Sequence, residues 1–255
     1  MAIEYDDSPI AVLNPWDVVK KVADCPSTIV TCFAENLIQY ALTLYPYRIV
    51  SYIVASNGNI PLYELNIDGQ KIGLILSVVG APATVSEYEE LFAMGVEHIL
   101  VFGTCGVLDQ SINDCQIIIP YAAIREEGTS YHYIADEDEI VVNHKTLSQM
   151  KAFFEKRHVH YLVAKTWTTD AFYRETKKKI TSMKAKGCVC VDMECSALAA
   201  LSQFRNKPIA QFFYSADNLD SEEYEVRSLR NEIQIDAKQK VVELAVELAV
   251  MLFKL

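Results

Sequence analysis

The chain is short of positive charge. Its 255 residues carry 23 Lys and Arg against 34 Asp and Glu, a formal charge of -11. No basic face is on offer to a phosphate backbone, so a nucleic acid polymer is excluded as a partner. An apolar run of membrane length is also missing. The longest, residues 241–253, is too short to span a bilayer and is broken by Glu243 and Glu247, so no membrane association is expected. The opening Met1-Ala2-Ile3-Glu4-Tyr5-Asp6-Asp7 is acidic rather than basic then apolar, which argues against a secretory signal and predicts a cytoplasmic location. The seven cysteines include no C-x-x-C and sit mostly in apolar or small-residue stretches, the habit of reduced core thiols. The five histidines have no metal-ligand spacing, so no metal is expected. No repeat, low-complexity tract or linker composition interrupts the chain.

What is present is apolar: 51% of residues are hydrophobic, enough for one large α/β core. A single domain over 1–255 is expected, with residues 1–25 as an N-terminal arm holding a short helix from Asn14-Pro15 to about Val22. Strands are predicted near 29–33, 49–55, 62–67, 71–79, 99–102, 117–124, 161–166, 189–191 and 209–214. Helices are predicted over 34–44, 84–94, 147–157 and 233–254. Gly103-Thr104-Cys105-Gly106 reads as a tight glycine turn after a buried strand. The acidic run 136–139 reads as a solvated loop.

The most informative stretch is Cys190-Val191-Asp192-Met193-Glu194-Cys195-Ser196-Ala197-Leu198-Ala199-Ala200. A β-branched strand ends at two carboxylates and enters a helix of very small residues. An acid at such a junction sits at the mouth of an α/β sheet, where ligands bind. The plainer alternative is a helix N-terminus that favours acids through its dipole. Other strands also end in polar clusters, at Gly103-Thr104, at Thr168 to Tyr173 and at Ser215 to Asp217. A largely parallel sheet would bring them to one rim. Two acids (Glu194, Asp217), aromatic plates (Phe172, Tyr173), a hydroxyl (Thr104) and a thioether (Met193) suit a sugar joined to a flat heterocycle.

The wording and order of Gly80-Ala81-Pro82, Phe102-Gly103-Thr104-Cys105-Gly106, Asp170-Ala171-Phe172-Tyr173, Val191-Asp192-Met193-Glu194 and Ala216-Asp217 resemble the nucleoside phosphorylase family. That family takes in purine nucleoside phosphorylases, uridine phosphorylases and methylthioadenosine-type nucleosidases. The resemblance runs from about Ile29 into the C-terminal helix. It implies an α/β fold, a three-layer α/β/α sandwich around a mixed, partly barrel-like central sheet. It also implies a homo-oligomer (dimer, trimer or hexamer) that cleaves the N-glycosidic bond of a small-molecule nucleoside. No cofactor is expected beyond inorganic phosphate as co-substrate. By the same resemblance Glu194 would bind the ribose 2′- and 3′-hydroxyls with Met193 beneath the sugar. Phe172 would stack on the base, Asp217 would protonate it, Thr104 would help hold phosphate, and Tyr173, Gly103 and Asp192 would be further substrate-binding residues. The uridine branch reads its base with a Gln and an Arg shortly after the Phe-Tyr pair. This chain has Arg174-Glu175-Thr176 there, which points to a purine.

Departures from the family pattern concern phosphate. Val101 stands where phosphorolytic members keep an arginine, and Cys32-Phe33-Ala34-Glu35-Asn36 replaces their arginine-bearing loop. Arg48, the nearest candidate for an arginine lent by a neighbouring subunit, is out of register. Guanidinium groups are the natural clamp for a phosphate dianion. Phosphorolysis is expected because the family is mostly phosphorolytic, with hydrolysis as its alternative because these arginines are missing; in the hydrolytic case Glu35 would orient water, and in the phosphorolytic case phosphate. Glu35 reads equally well as an ordinary first-turn helix acid. A non-catalytic nucleoside-binding protein is the third reading.

Overall fold

A computed structural model describes residues 5–56, 58–135, 137–230 and 232–254. Asp136 of the acidic run and the first four residues of the chain lie outside them. Among the described residues ten strands form one sheet: β1 (Thr28–Cys32), β2 (Tyr47–Ala55), β3 (Gly58–Ile67), β4 (Gln70–Leu76), β5 (His98–Val107), β6 (Ile117–Glu126), β7 (Glu139–Val141), β8 (Tyr161–Thr169), β9 (Cys188–Asp192) and β10 (Ile209–Asn218). Seven α-helices of the described residues accompany them: α1 (Pro15–Val18), α2 (Glu35–Leu44), α3 (Ala81–Met94), α4 (Leu147–Lys156), α5 (Lys177–Ala185), α6 (Cys195–Arg205) and α7 (Ile235–Phe253).

Strand order explains the shape. Along β10-β6-β8-β9-β5 the sheet curls until β5 also pairs with β10, closing a ring of five strands. From β5 an open arm continues through β1, β4, β3 and β2. All five residues of β1 (Thr-Ile-Val-Thr-Cys) are buried, as expected of a strand flanked on both sides by parallel neighbours and covered on both faces. Alternate side chains serve opposite layers. Val30 and Cys32 join Leu100, Phe102 and Phe212 under α2, α4 and α7. Ile29 joins Ile99, Val101 and Ile209 under α3 and α6. The result is a three-layer α/β/α arrangement whose sheet is partly a barrel, the architecture that the resemblance implies. Phe102 and Phe212 stack at 5.5 Å in its middle. Truncating either to Ala would cost about 3–5 kcal/mol.

Two expectations need correction. Gly103 and Gly106 do not form a turn; they lie inside β5, which runs on to Val107. A Cβ at Gly103 would meet the Phe33 ring at 2.9 Å, and one at Gly106 would meet Leu219 at 2.5 Å, so close packing rather than chain reversal requires glycine there. The sheet is mixed, as the resemblance implies: β10 runs parallel to β5, with Tyr214 beside Thr104, while β9 runs antiparallel to it, with Gly106 opposite Val191. Pairing of both strands with β5 brings the strand ends together. Helix boundaries also shift. The first helix ends at Val18, and α3 begins at Ala81 because Gly80 (φ 101°) turns the chain and Pro82 suits a first turn.

Candidate active site

The ends of β5, β9 and β10 surround a cavity of about 670 Å³. Thr104, Cys105 and Gly106 come from β5, Val191 and Asp192 from β9, and Asp217 from β10. Met193 and Glu194 occupy the junction between β9 and α6. The 3-10 turn Phe172–Arg174 supplies Phe172 and Tyr173, whose rings lie 4.0 Å apart at the mouth. Glu194 and Asp217, 23 positions apart in sequence, thus face one space.

The β9–α6 junction is built around Asp192. Its Oδ1 accepts the backbone N–H groups of Glu194 (2.8 Å) and Cys195 (2.6 Å), and its Oδ2 accepts the hydroxyls of Thr166 (2.7 Å) and Thr168 (3.3 Å). Asp192 therefore caps the helix and has little capacity left for a ligand, although it lines the cavity. Burial still pushes its carboxyl up to about 6 against those donors. Further support comes from behind: Thr168 Oγ1 accepts the Ser196 N–H at 3.0 Å, and the Ser196 hydroxyl donates to Glu127 at 2.8 Å. The small residues Ala197, Ala199 and Ala200 are buried and let α6 press against its neighbours.

Glu194 is nearly enclosed, and its Oε1 accepts the Gly80 N–H at 2.6 Å. Burial drives its carboxyl up to about 8; the Gly80 hydrogen bond opposes this, and the charge of Asp192 adds to it. Asp217 is also held above the usual carboxylate range by burial, while a hydrogen bond from Tyr224 and the charge of Arg227 pull the other way. Two lining residues escaped the sequence reading. Glu175 is pushed up to about 7 by burial and by the charges of Asp217 and Glu126. Tyr224, on the segment after β10, carries a hydroxyl raised to about 12 by burial and by its bond to Asp217.

Two residues named from sequence are not brought to the cavity wall. Gly103 is buried behind it and makes room for Phe33, which does line it. Glu35 is exposed in the first turn of α2, where the helix dipole favours an acid. Val101 is buried in the core, and Arg48 is engaged by Glu64 through bonds of 2.8 and 3.1 Å. Among the described lining residues there are four carboxylates and no Lys, Arg or His. No group of described residues could hold a metal ion, and no described helix is long and apolar enough to cross a membrane.

Residues 33–252 match the family described as the phosphorylase superfamily. The guanosine phosphorylase of Halorubrum lacusprofundi is 27% identical over 153 residues, 60% of this chain and 64% of that protein. The uridine phosphorylase of Haemophilus influenzae is 31% identical over 107 residues, 42% of each chain. The chain spans less than two thirds of the length of these curated relatives. Purine nucleoside phosphorylase from Toxoplasma gondii, solved in complex with immucillin-H, superposes with a TM-score of 0.72 at 20% identity, covering 93% of this chain and 92% of that one. At that identity the likeness speaks to the fold.

Proposed function

The chain belongs to the phosphorylase superfamily, and on that footing we propose that it breaks the N-glycosidic bond of a purine nucleoside and transfers the pentosyl group to inorganic phosphate. The observation that carries the reading is the meeting of Glu194 and Asp217 across one cavity with Phe172 and Tyr173 at its mouth. Glu194 accepts the two ribose hydroxyls while Met193 lies beneath the ring, and Phe172 stacks on the base. As the bond from C1′ to the base nitrogen breaks, its electron pair passes to the base, and Asp217 delivers a proton to the ring. A phosphate oxygen held by Thr104 then closes on C1′. An acid that donates near neutral pH needs its proton affinity raised, and the enclosure of Asp217 supplies that. No cofactor takes part.

The purine rests on the sequence Arg174-Glu175-Thr176, which lacks the glutamine with which the uridine branch reads its base; Glu175 lines the same cavity as Asp217 and can accept an N–H of the base. The expected homo-oligomer would cover exposed apolar side chains of β2, among them Ile49, Tyr52 and Val54, and a neighbouring subunit is the natural source of the cation that the cavity lacks. That lack favours one second reading, hydrolysis with water as nucleophile. Incubation with a panel of purine and pyrimidine nucleosides, with and without phosphate, separates the readings. Free base with ribose 1-phosphate supports phosphorolysis; free ribose in phosphate-free buffer supports hydrolysis. Binding without turnover of any nucleoside sinks both.

A further inference from the structure

The buried acids of this chain fall into two sets. Glu64 and Glu89 each face an arginine, Arg48 and Arg205. Glu87 lies two residues before Glu89 on α3 and is only 3% exposed, yet among the described residues no cation comes within ion-pair distance of it. Its Oε2 accepts the Val78 N–H at 3.0 Å and its Oε1 the Ser77 hydroxyl at 3.4 Å. Ser77 Oγ is in turn 2.7 Å from Thr31 Oγ1 and 3.0 Å from the Tyr88 hydroxyl. An unpaired acid in such a place costs folding free energy that a leucine would not, so its presence calls for a purpose.

The purpose is legible in what Val78 begins. Residues 77–80 form a strap from β4 to α3. The Thr84 hydroxyl donates to the carbonyls of Val78 and Gly80, Glu87 holds the Val78 N–H, and at the far end Gly80 turns its own N–H onto Glu194. The strap is thus stretched between two buried carboxylates, one in the candidate site and one behind it. We propose that Glu87 is a positioning residue for the sugar end of the site: by fixing the strap it aims the Gly80 N–H, and through it the Glu194 carboxylate. This rests on reading Glu194 as the acceptor of the ribose hydroxyls.

The test compares inosine with 2′,3′-dideoxyinosine, which lacks both hydroxyls, in the wild type and in Glu87→Leu, Glu87→Gln and Thr84→Val, each checked by thermal unfolding. The wild type prefers inosine strongly. In Glu87→Leu that preference in kcat/KM falls roughly tenfold, the equivalent of one charged hydrogen bond, through a higher KM for inosine while dideoxyinosine is unchanged. Glu87→Gln, whose amide oxygen still accepts the Val78 N–H, recovers most of it. Thr84→Val, which loosens the other hold on the strap, lowers the preference in the same direction and decides the matter should Glu87→Leu not fold. Equal loss on both substrates, or an unchanged preference in Glu87→Leu and Thr84→Val, overturns the proposal. A wild type without preference for inosine overturns the reading of Glu194 itself.

Discussion

A second cavity, of about 470 Å³, opens where α6 ends and β10 begins. Its polar lining inverts that of the first. His144, Lys145 and Lys207 line it without a single Asp or Glu, whereas the first holds four carboxylates and no cation. The deeper difference lies in how the polar groups are answered. In the second cavity Asn143 donates to the carbonyls of Pro120 (2.9 Å) and Gln211 (2.7 Å) and accepts the Gln211 N–H (2.9 Å). Lys145 reaches Asn206, and Lys207 pairs with Glu97. Those groups stitch the chain together. In the first cavity Glu175, Glu194 and Asp217 are acids crowded into apolar surroundings and held above their ordinary range. The first cavity is the larger, and what sets it apart further is several buried acids with no cation in its lining, an arrangement that is destabilising unless a ligand or a reaction uses it.

The strongest way to break this contrast is Asp217→Asn. Loss of a general acid lowers turnover of inosine by about 10²–10⁴-fold. N7-methylguanosine, whose base already carries a positive charge, should lose far less; equal losses on the two substrates in a steady-state assay would remove Asp217 from the chemistry. Next comes Glu194→Gln, expected to raise KM for inosine by roughly 10–100-fold through weakened charged hydrogen bonds to the sugar, measured beside an unchanged melting temperature. Asn143→Ala in the second cavity should do the reverse. It forfeits about 1–3 kcal/mol of stability by stranding buried backbone groups, seen in urea unfolding, and leaves kcat/KM where it was.

Smaller effects come with pH. Glu194 and Glu87 are both raised to about 8, so the fold favours their neutral forms. Their contribution to stability is full below the ordinary glutamate range and is lost as pH rises through about 8. As pH rises through about 8, KM for inosine should fall as Glu194 ionises; kcat should decline where Asp217, held above the usual carboxylate range by burial, gives up its proton. A pH profile of both constants checks this, and Glu194→Gln should abolish the KM limb alone. Smallest of all is Lys145→Ala, expected to leave every kinetic constant as it is, since that side chain serves the cavity without a catalytic charge.

Glu194 and Asp217 were readable from sequence because each follows a buried apolar strand, where a carboxylate is conspicuous. Glu175 was not. It precedes Lys177-Lys178-Lys179 and looks like one end of a solvated helix until the fold brings it to the cavity that Asp217 also lines. Glu87 escaped for a related reason: an acid between Ser86 and Tyr88 on a helix reads as surface, yet it is buried and bonded to Ser77 and Val78 of the strap. The glycines of β5 misled in the other direction, since a packing demand from Phe33 and Leu219 looks the same in sequence as a turn. The α/β class and most element positions followed from periodicity, whereas ring closure by β5 and β10 joins residues over a hundred positions apart and leaves no local trace.

That closure has a consequence for how the protein is made. Thr104 is made well before the strand that pairs beside it, Ile209–Asn218, and the cavity is also lined by Tyr224 and Leu229, so the nascent chain carries no complete pocket until those residues have emerged. Until then the outer edge of β5 is an open template for any strand that arrives first. Long-range pairing of this kind is slow to form, and production of active protein should respond more steeply to temperature and to chaperone supply than its final stability would suggest.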